Sequence, residues 1–185
     1  MSIDLIIGPM YSGKTSELIR RITRYMICKK KCVVITHNLN NRYNNDELIT
    51  HDGYKLIKGC LFIKTDELRK IKYAILDYDI IGVDECQFFD SDDILSFCDD
   101  YANIDKKLII AGLSSDFNKN PFDSVIKLIS VSENITKLYA ICNICYENAT
   151  FTMKKSNKNV LIEIGSTDLY TPLCRKCYNI NNNID

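Results

Sequence analysis

The chain has 185 residues, enough for one ordinary domain and a small appendage, and with 46% hydrophobic and 26% charged residues it can bury a core, which excludes global disorder. Its 24 basic and 24 acidic residues cancel, which speaks against a protein whose main task is to hold nucleic acid. The apolar runs are too short for a bilayer, and no basic stretch precedes a long apolar one at the N-terminus, so neither a membrane span nor a secretory signal is expected.

Ile3, Leu5, Ile6 and Ile7 predict a buried strand over residues 3–8. It runs into Gly8-Pro9-Met10-Tyr11-Ser12-Gly13-Lys14-Thr15, which reads G-x-x-x-x-G-K-T, the phosphate-binding P-loop pattern. Leu18, Ile19, Ile22 and Met26 then recur at helical steps and predict an amphipathic helix from about Lys14 to Cys28. The strand and helix supply the context the motif needs. Loop N–H groups and the helix N-terminus face phosphate, Lys14 reaches the β- and γ-phosphates, and the Thr15 hydroxyl ligates Mg²⁺. Arg20, Arg21 and Arg24 read as a solvated helix face. A second strand at Cys32–Ile35 completes a βαβ unit, so the sheet should be parallel.

Thr36 to Gly53 is polar and aperiodic and reads as a loop; Arg42 on it could reach phosphate, but by the sequence alone a solvated loop with an Asp-Gly turn is the favoured reading. Leu61–Ile63 predicts a strand, and Leu68, Ile71, Ile75 and Leu76 predict a helix over Asp66–Tyr78. Ile80-Ile81-Gly82-Val83-Asp84-Glu85 is an apolar strand ending in two acids, the form of a Walker B element. Parallel strands bring their carboxyl ends to one edge, so Asp84 would hold Mg²⁺ near the P-loop and Glu85 is free to act as a base. Taken without the P-loop, the pair would be two solvated acids. Ser91 reads as the cap of a helix over Asp92–Tyr101, and Lys107–Leu113 as another buried strand. A polar loop with two aromatics, a short helix over Val125–Ile129 and a last core strand at Leu138–Ile141 follow.

The nine cysteines, an odd number, include the pairs Cys142/Cys145 and Cys174/Cys177. This usage points to a reducing, cytoplasmic setting and one metal site, not a disulfide framework. Two C-x-x-C knuckles close a tetrahedral four-thiolate site suited to zinc, and with every position filled the metal should be structural. Residues 146–173 between the knuckles read as two strands, Ala149–Met153 and Val160–Ile164, joined by a polar turn at Lys154–Asn159. The expected organisation is an α/β P-loop domain over 1–140, a zinc-ribbon unit over 141–178 and a disordered Asn-rich tail over 179–185.

The P-loop, Arg42-Tyr43, Asp84-Glu85-Cys86-Gln87-Phe88-Phe89, Pro121-Phe122, Gly165 to Tyr170 and Cys174-Arg175-Lys176-Cys177 together resemble the type II thymidine kinase family, over nearly the whole chain. The resemblance implies a P-loop NTPase-like parallel sheet flanked by helices, with a small C-terminal zinc ribbon that carries a lasso loop. It implies phosphoryl transfer from ATP to the 5′-hydroxyl of thymidine or deoxyuridine, with Mg²⁺ and structural Zn²⁺, in pyrimidine salvage. By the same resemblance Glu85 accepts the hydroxyl proton, and ATP is held by residues Gly8 to Thr15 with Arg42, Asp84 and Gln87. Met10, Phe88, Leu113, Phe117 and Phe122 match positions that line the thymidine pocket, although each taken singly could be core. Thr152, Leu161, Ile162, Glu163, Ile164, Gly165 and Tyr170 match positions of the lasso that closes over the base. A homotetramer inhibited by dTTP is implied too, with no nucleic-acid or membrane partner.

Three departures from the family pattern stand out. Asn40 replaces the usual Asp two residues before the motif Arg, which removes a carboxylate from the metal's surroundings. Cys86 replaces a Gly or Ala and puts a thiol next to the site, with a possible sensitivity to oxidation. Asp116 precedes Phe117, as in the bacterial form, with no role that the sequence reveals. Two rival readings are a nucleic-acid-dependent ATPase and an inactive nucleotide-binding relative. The neutral charge balance disfavours the first, and the presence of Lys14, Thr15, Asp84 and Glu85 disfavours the second.

Overall fold

Alternate residues of the central strands feed two separate cores. The structure, a computed structural model, describes residues 2–40, 59–155 and 169–181. Strands β1 (Ser2–Gly8), β2 (Cys32–His37), β3 (Leu61–Thr65), β4 (Ile80–Asp84), β5 (Lys107–Leu113) and β6 (Asn134–Lys137) form one sheet. The order is β3-β2-β4-β5-β1-β6 and every pairing is parallel. Leu5, Val33, Ile81, Val83, Leu108 and Ile110 point to one face, where α2 (Ser91–Asn103) and α3 (Asp123–Val131) cover them with Ile94, Phe97, Val125 and Leu128. Ile6, Val34, Ile80, Ile109 and Ala111 point to the other, under Leu18, Ile19 and Ile22 of α1 (Lys14–Ile27). Both faces of a parallel sheet must be covered in this way, which is why its strands read as unbroken apolar runs.

A second body begins at Ala140. Strands β7 (Ala140–Ile141) and β8 (Asn148–Ala149) pair antiparallel, as do β9 (Phe151–Lys154) and β10 (Tyr170–Leu173), and α4 (Arg175–Asn181) closes the unit. Ala140, Cys142, Ala149, Leu173, Cys177 and Tyr178 form its own small core. Among the described residues no helix is long and apolar enough to cross a membrane.

Four expectations change. Asp66–Tyr78 is not one helix but two 3-10 turns, Leu68–Lys70 and Lys72–Ile75. The Tyr101 hydroxyl donates to the Lys72 carbonyl, an acceptor that a helical ladder would have used, and Asp93 accepts the N–H groups of Leu68 and Arg69 at the start of the first turn. Asp90, not Ser91, caps α2: its Oδ1 accepts from the N–H groups of Asp92 and Asp93, both at 3.0 Å. The last strand of the sheet is β6 and not Leu138–Ile141, whose second half belongs to the ribbon. Strand β9 pairs with β10, and the expected strand Val160–Ile164 lies outside the described residues. Helix α4 runs to Asn181 and takes in the first residues of the expected tail.

Candidate active site

The P-loop leaves β1 at Gly8 and enters α1 at Lys14, through Gly13 at φ 78°, a left-handed conformation that costs glycine nothing. The Pro9 carbonyl accepts from Lys14 Nζ at 2.7 Å and from Ser12 Oγ at 2.9 Å, so the buried ammonium is folded back onto the loop. From the carboxyl end of β4, Asp84, 1% exposed, accepts from the Thr15 hydroxyl at 3.0 Å on Oδ2 and 3.3 Å on Oδ1. A hydroxyl and a carboxylate oxygen brought together beside a phosphate loop fit Mg²⁺, a hard cation that prefers oxygen donors.

Glu85 follows at φ 55°, ψ 46°, a left-handed conformation that costs a residue with a Cβ roughly 1–2 kcal/mol. The turn ends β4 and starts a 3-10 segment over Cys86–Phe88. Glu85 Oε2 accepts from Gln87 Nε2 at 2.6 Å, and Gln87 Oε1 accepts from the Leu113 N–H at 3.0 Å. Gly112 makes room for this link, since a Cβ there would sit 2.3 Å from Cys86 Sγ and 3.0 Å from Gln87 Oε1. Cys86 is fully buried, and burial pushes its thiol pKa well above the ordinary value. It is therefore a packed neutral thiol, which offers an oxidant no easy access. Asn40, also buried, donates from Nδ2 to Thr36 Oγ1 at 3.2 Å; the position that lacks the family's carboxylate serves to tie down the end of β2.

The ribbon touches both sides of this site. Thr152 Oγ1 on β9 accepts the N–H of Met10 at 3.0 Å. The Tyr178 hydroxyl on α4 donates to the Phe117 carbonyl at 2.7 Å, and Lys154 lies over the Phe117 ring at 5.4 Å. Asp116 closes the loop that carries Phe117. Its Oδ1 accepts the N–H groups of Asn118 and Asn120, both at 2.8 Å, its Oδ2 accepts from Asn120 Nδ2, and its own N–H donates to the Asn120 carbonyl. Met10, Phe88, Leu113, Phe117 and Phe122 are each half-buried, and Phe122 also packs on the core under α2 and α3. Thr152 and Tyr170 are buried. Arg42 and Leu161 to Gly165 lie outside the described residues. Sequence reasoning missed the linking parts of Asp116 and Tyr178. The signals were an Asp followed by Asn two and four residues on, which suits a side-chain-closed turn, and a tyrosine directly after the last knuckle cysteine.

The four cysteines of the two knuckles meet as expected, with ligand atoms all within 4.8 Å of one another. A tetrahedron of ~2.3 Å Zn–S bonds needs sulfurs about 3.8 Å apart, so the cluster fits zinc. Burial opposes ionisation of Cys142, but the N–H groups of Cys145, Cys174 and Ile144 outweigh it and hold its pKa at about 6.

With this geometry in place, the comparisons agree. A family model described as thymidine kinase matches residues 1–178. The chain belongs to the thymidine kinase family. It is 64% identical to a thymidine kinase of Choristoneura fumiferana entomopoxvirus, with 100% of both chains covered. It is 42% identical to thymidine kinase 1 of Dictyostelium discoideum, over 98% of this chain and 79% of that one. The monkeypox virus thymidine kinase is also 42% identical, over 95% and 96%. Family membership makes the chain a nucleotide-binding kinase. Among solved structures, the archaeal flagellar accessory protein FlaH of Methanocaldococcus jannaschii matches with a TM-score of 0.53 at 14% identity, covering 74% of this chain and 70% of that one. At that identity the likeness concerns the fold alone.

Proposed function

We propose that the chain transfers the γ-phosphoryl group of ATP to the 5′-hydroxyl of thymidine or deoxyuridine, a step of pyrimidine salvage. The observation that carries this reading is the contact of Thr15 with Asp84 at 3.0 Å, with Glu85 as the next residue, at the carboxyl edge of the sheet. ATP lies along the P-loop, and Lys14 exchanges its Pro9 carbonyl for β- and γ-phosphate oxygens. Thr15 and Asp84 would hold Mg²⁺, which would supply charge neutralisation during the transfer. The 5′-oxygen forms a bond to the γ-phosphorus while the bond to the bridging oxygen of ADP breaks, and the hydroxyl proton passes to the Glu85 carboxylate. The transition state is loose, so orientation and charge do most of the work, and Arg42 adds charge.

Met10, Phe88, Leu113, Phe117 and Phe122 form apolar walls suited to a flat base with a methyl group. Thr152, Tyr170 and the stretch Leu161, Ile162, Glu163, Ile164 and Gly165 close over it, using backbone groups that reject a base with the wrong donor pattern. Cys142, Cys145, Cys174 and Cys177 would hold zinc, which would anchor both ends of that lid. A homotetramer inhibited by dTTP is part of the same proposal, carried by the resemblance to the family and by no single residue.

The test is phosphoryl transfer from ATP·Mg²⁺ to thymidine by the intact chain and by Glu85→Gln. The intact chain is expected to turn over and the variant to lose about a hundredfold or more in rate. Absence of transfer to any pyrimidine nucleoside from folded, zinc-loaded protein refutes the reading.

A further inference from the structure

We infer that Gln87 is a positioning residue whose amide holds the Glu85 carboxylate in place for proton acceptance. The role rests on the reading of Glu85 as the base. Pairing between β4 and β5 ends at Val83 opposite Ile110, whereas β1 and β5 stay paired out to Gly8 opposite Leu113. The sheet therefore parts between β4 and β5 just where Glu85 leaves it, and Gln87 spans the parting. The direction of its amide is not free. The Leu113 N–H can only donate, so Oε1 must face it and Nε2 must face Glu85. Glu85 and Gln87 are each 7% exposed, so water competes little for either bond. A carboxylate on a flexible stem, leaving a left-handed backbone turn, gains a fixed rotamer from this partner. Through Leu113 the base is also tied to the strand that pairs with β1, which leads into the P-loop. The proton acceptor and the phosphate loop thus share one frame, and near-attack geometry depends on such a frame.

The experiment measures kcat and KM for Gln87→Leu and Gln87→Glu, each alone and combined with Glu85→Gln, with melting temperatures alongside. Gln87→Glu keeps an acceptor for the Leu113 N–H but sets a second carboxyl group against Glu85 in place of the amide, so that charge repulsion or a shared proton disturbs the base while the link to Leu113 stays, and it decides the matter should Gln87→Leu not fold. Both single variants are expected to lose about ten- to a hundredfold in kcat with KM for ATP and thymidine within about threefold, and to add nothing to Glu85→Gln. Full kcat in Gln87→Glu overturns the proposal. So does a raised KM for ATP with kcat kept, which assigns Gln87 to the nucleotide, or an additive loss on top of Glu85→Gln. If Glu85→Gln itself keeps full activity, the base reading falls and this role with it. A slow Glu85→Gln beside a fast Gln87→Glu removes the positioning role alone.

Discussion

Gly112→Ala tests how tightly the end of β5 is fitted to the acidic turn. A Cβ at this position lies 2.3 Å from Cys86 Sγ and 3.0 Å from Gln87 Oε1, well inside van der Waals contact for the sulfur. The Gln87 amide can give by a few tenths of an ångström. Cys86 cannot move as easily, because it is fully buried within the core under α2 and α3. Overpacking of this kind costs ~1–3 kcal/mol. For a chain of this length each kcal/mol lowers the melting temperature by about 2–4 °C, so thermal unfolding of zinc-loaded protein should show a fall of roughly 2–12 °C. Cys86→Ala alone removes one sulfur and leaves a small void, at ~1 kcal/mol. In the double variant the new methyl occupies the space the sulfur left, so its melting temperature should recover to near that of Cys86→Ala. A double variant as unstable as the sum of the two singles would refute the argument, because the cost would then lie elsewhere than in the methyl–sulfur clash.

Other outcomes are expected from contacts already described. Tyr178→Phe removes one hydroxyl but keeps the ring against Phe151 at 5.4 Å. KM for thymidine should rise about three- to tenfold with KM for ATP unchanged, and steady-state kinetics showing no such split would detach Tyr178 from the nucleoside side. Cys174→Ser takes a thiolate from the cluster, so zinc bound per chain, read by atomic absorption, should drop and thymidine turnover with it, while ATP binding at the P-loop persists. Glu17 on α1 has its carboxyl held at about 2 against an ordinary 4.5, chiefly by the hydrogen bond from Arg20. A folded value below the unfolded one gives stability that is present above 4.5 and lost as the pH falls through 2. Glu17→Gln should therefore cost ~0.5–1 kcal/mol near neutrality, narrowing as the pH drops below 4.5, and urea unfolding across that range reads it.

The parts of the site legible in the sequence were those whose chemistry forces a local pattern. A phosphate loop needs glycines at fixed spacing before a helix, and a zinc knuckle needs two cysteines on one tight turn, so residues 8–15 and the four ligating cysteines announced themselves. The buried parallel strands did the same through unbroken apolar runs, and β1, β4 and β5 came out within a residue or so of their expected bounds. Patterns failed where a distant partner decided the outcome. The apolar spacing over Asp66–Tyr78 is helical, but Tyr101 on α2 takes the Lys72 carbonyl a helix would have used, and Asp93 holds the N–H groups at the start of the first turn. Asn134–Lys137, at an edge of the described sheet, is mostly exposed and so carries little apolar pattern, and the apolar residues after it misled for that reason. Gln87, Asp116 and Tyr178 carry no local signature of comparable strength, since each works by reaching across elements: to Leu113, around its own loop, and from the ribbon to Phe117. The motif residues are therefore the ones that touch substrate or metal in the proposed reaction. The residues that fix their relative positions become visible only when the chain is folded, and that makes substitution at these connectors the sharper test of the mechanism.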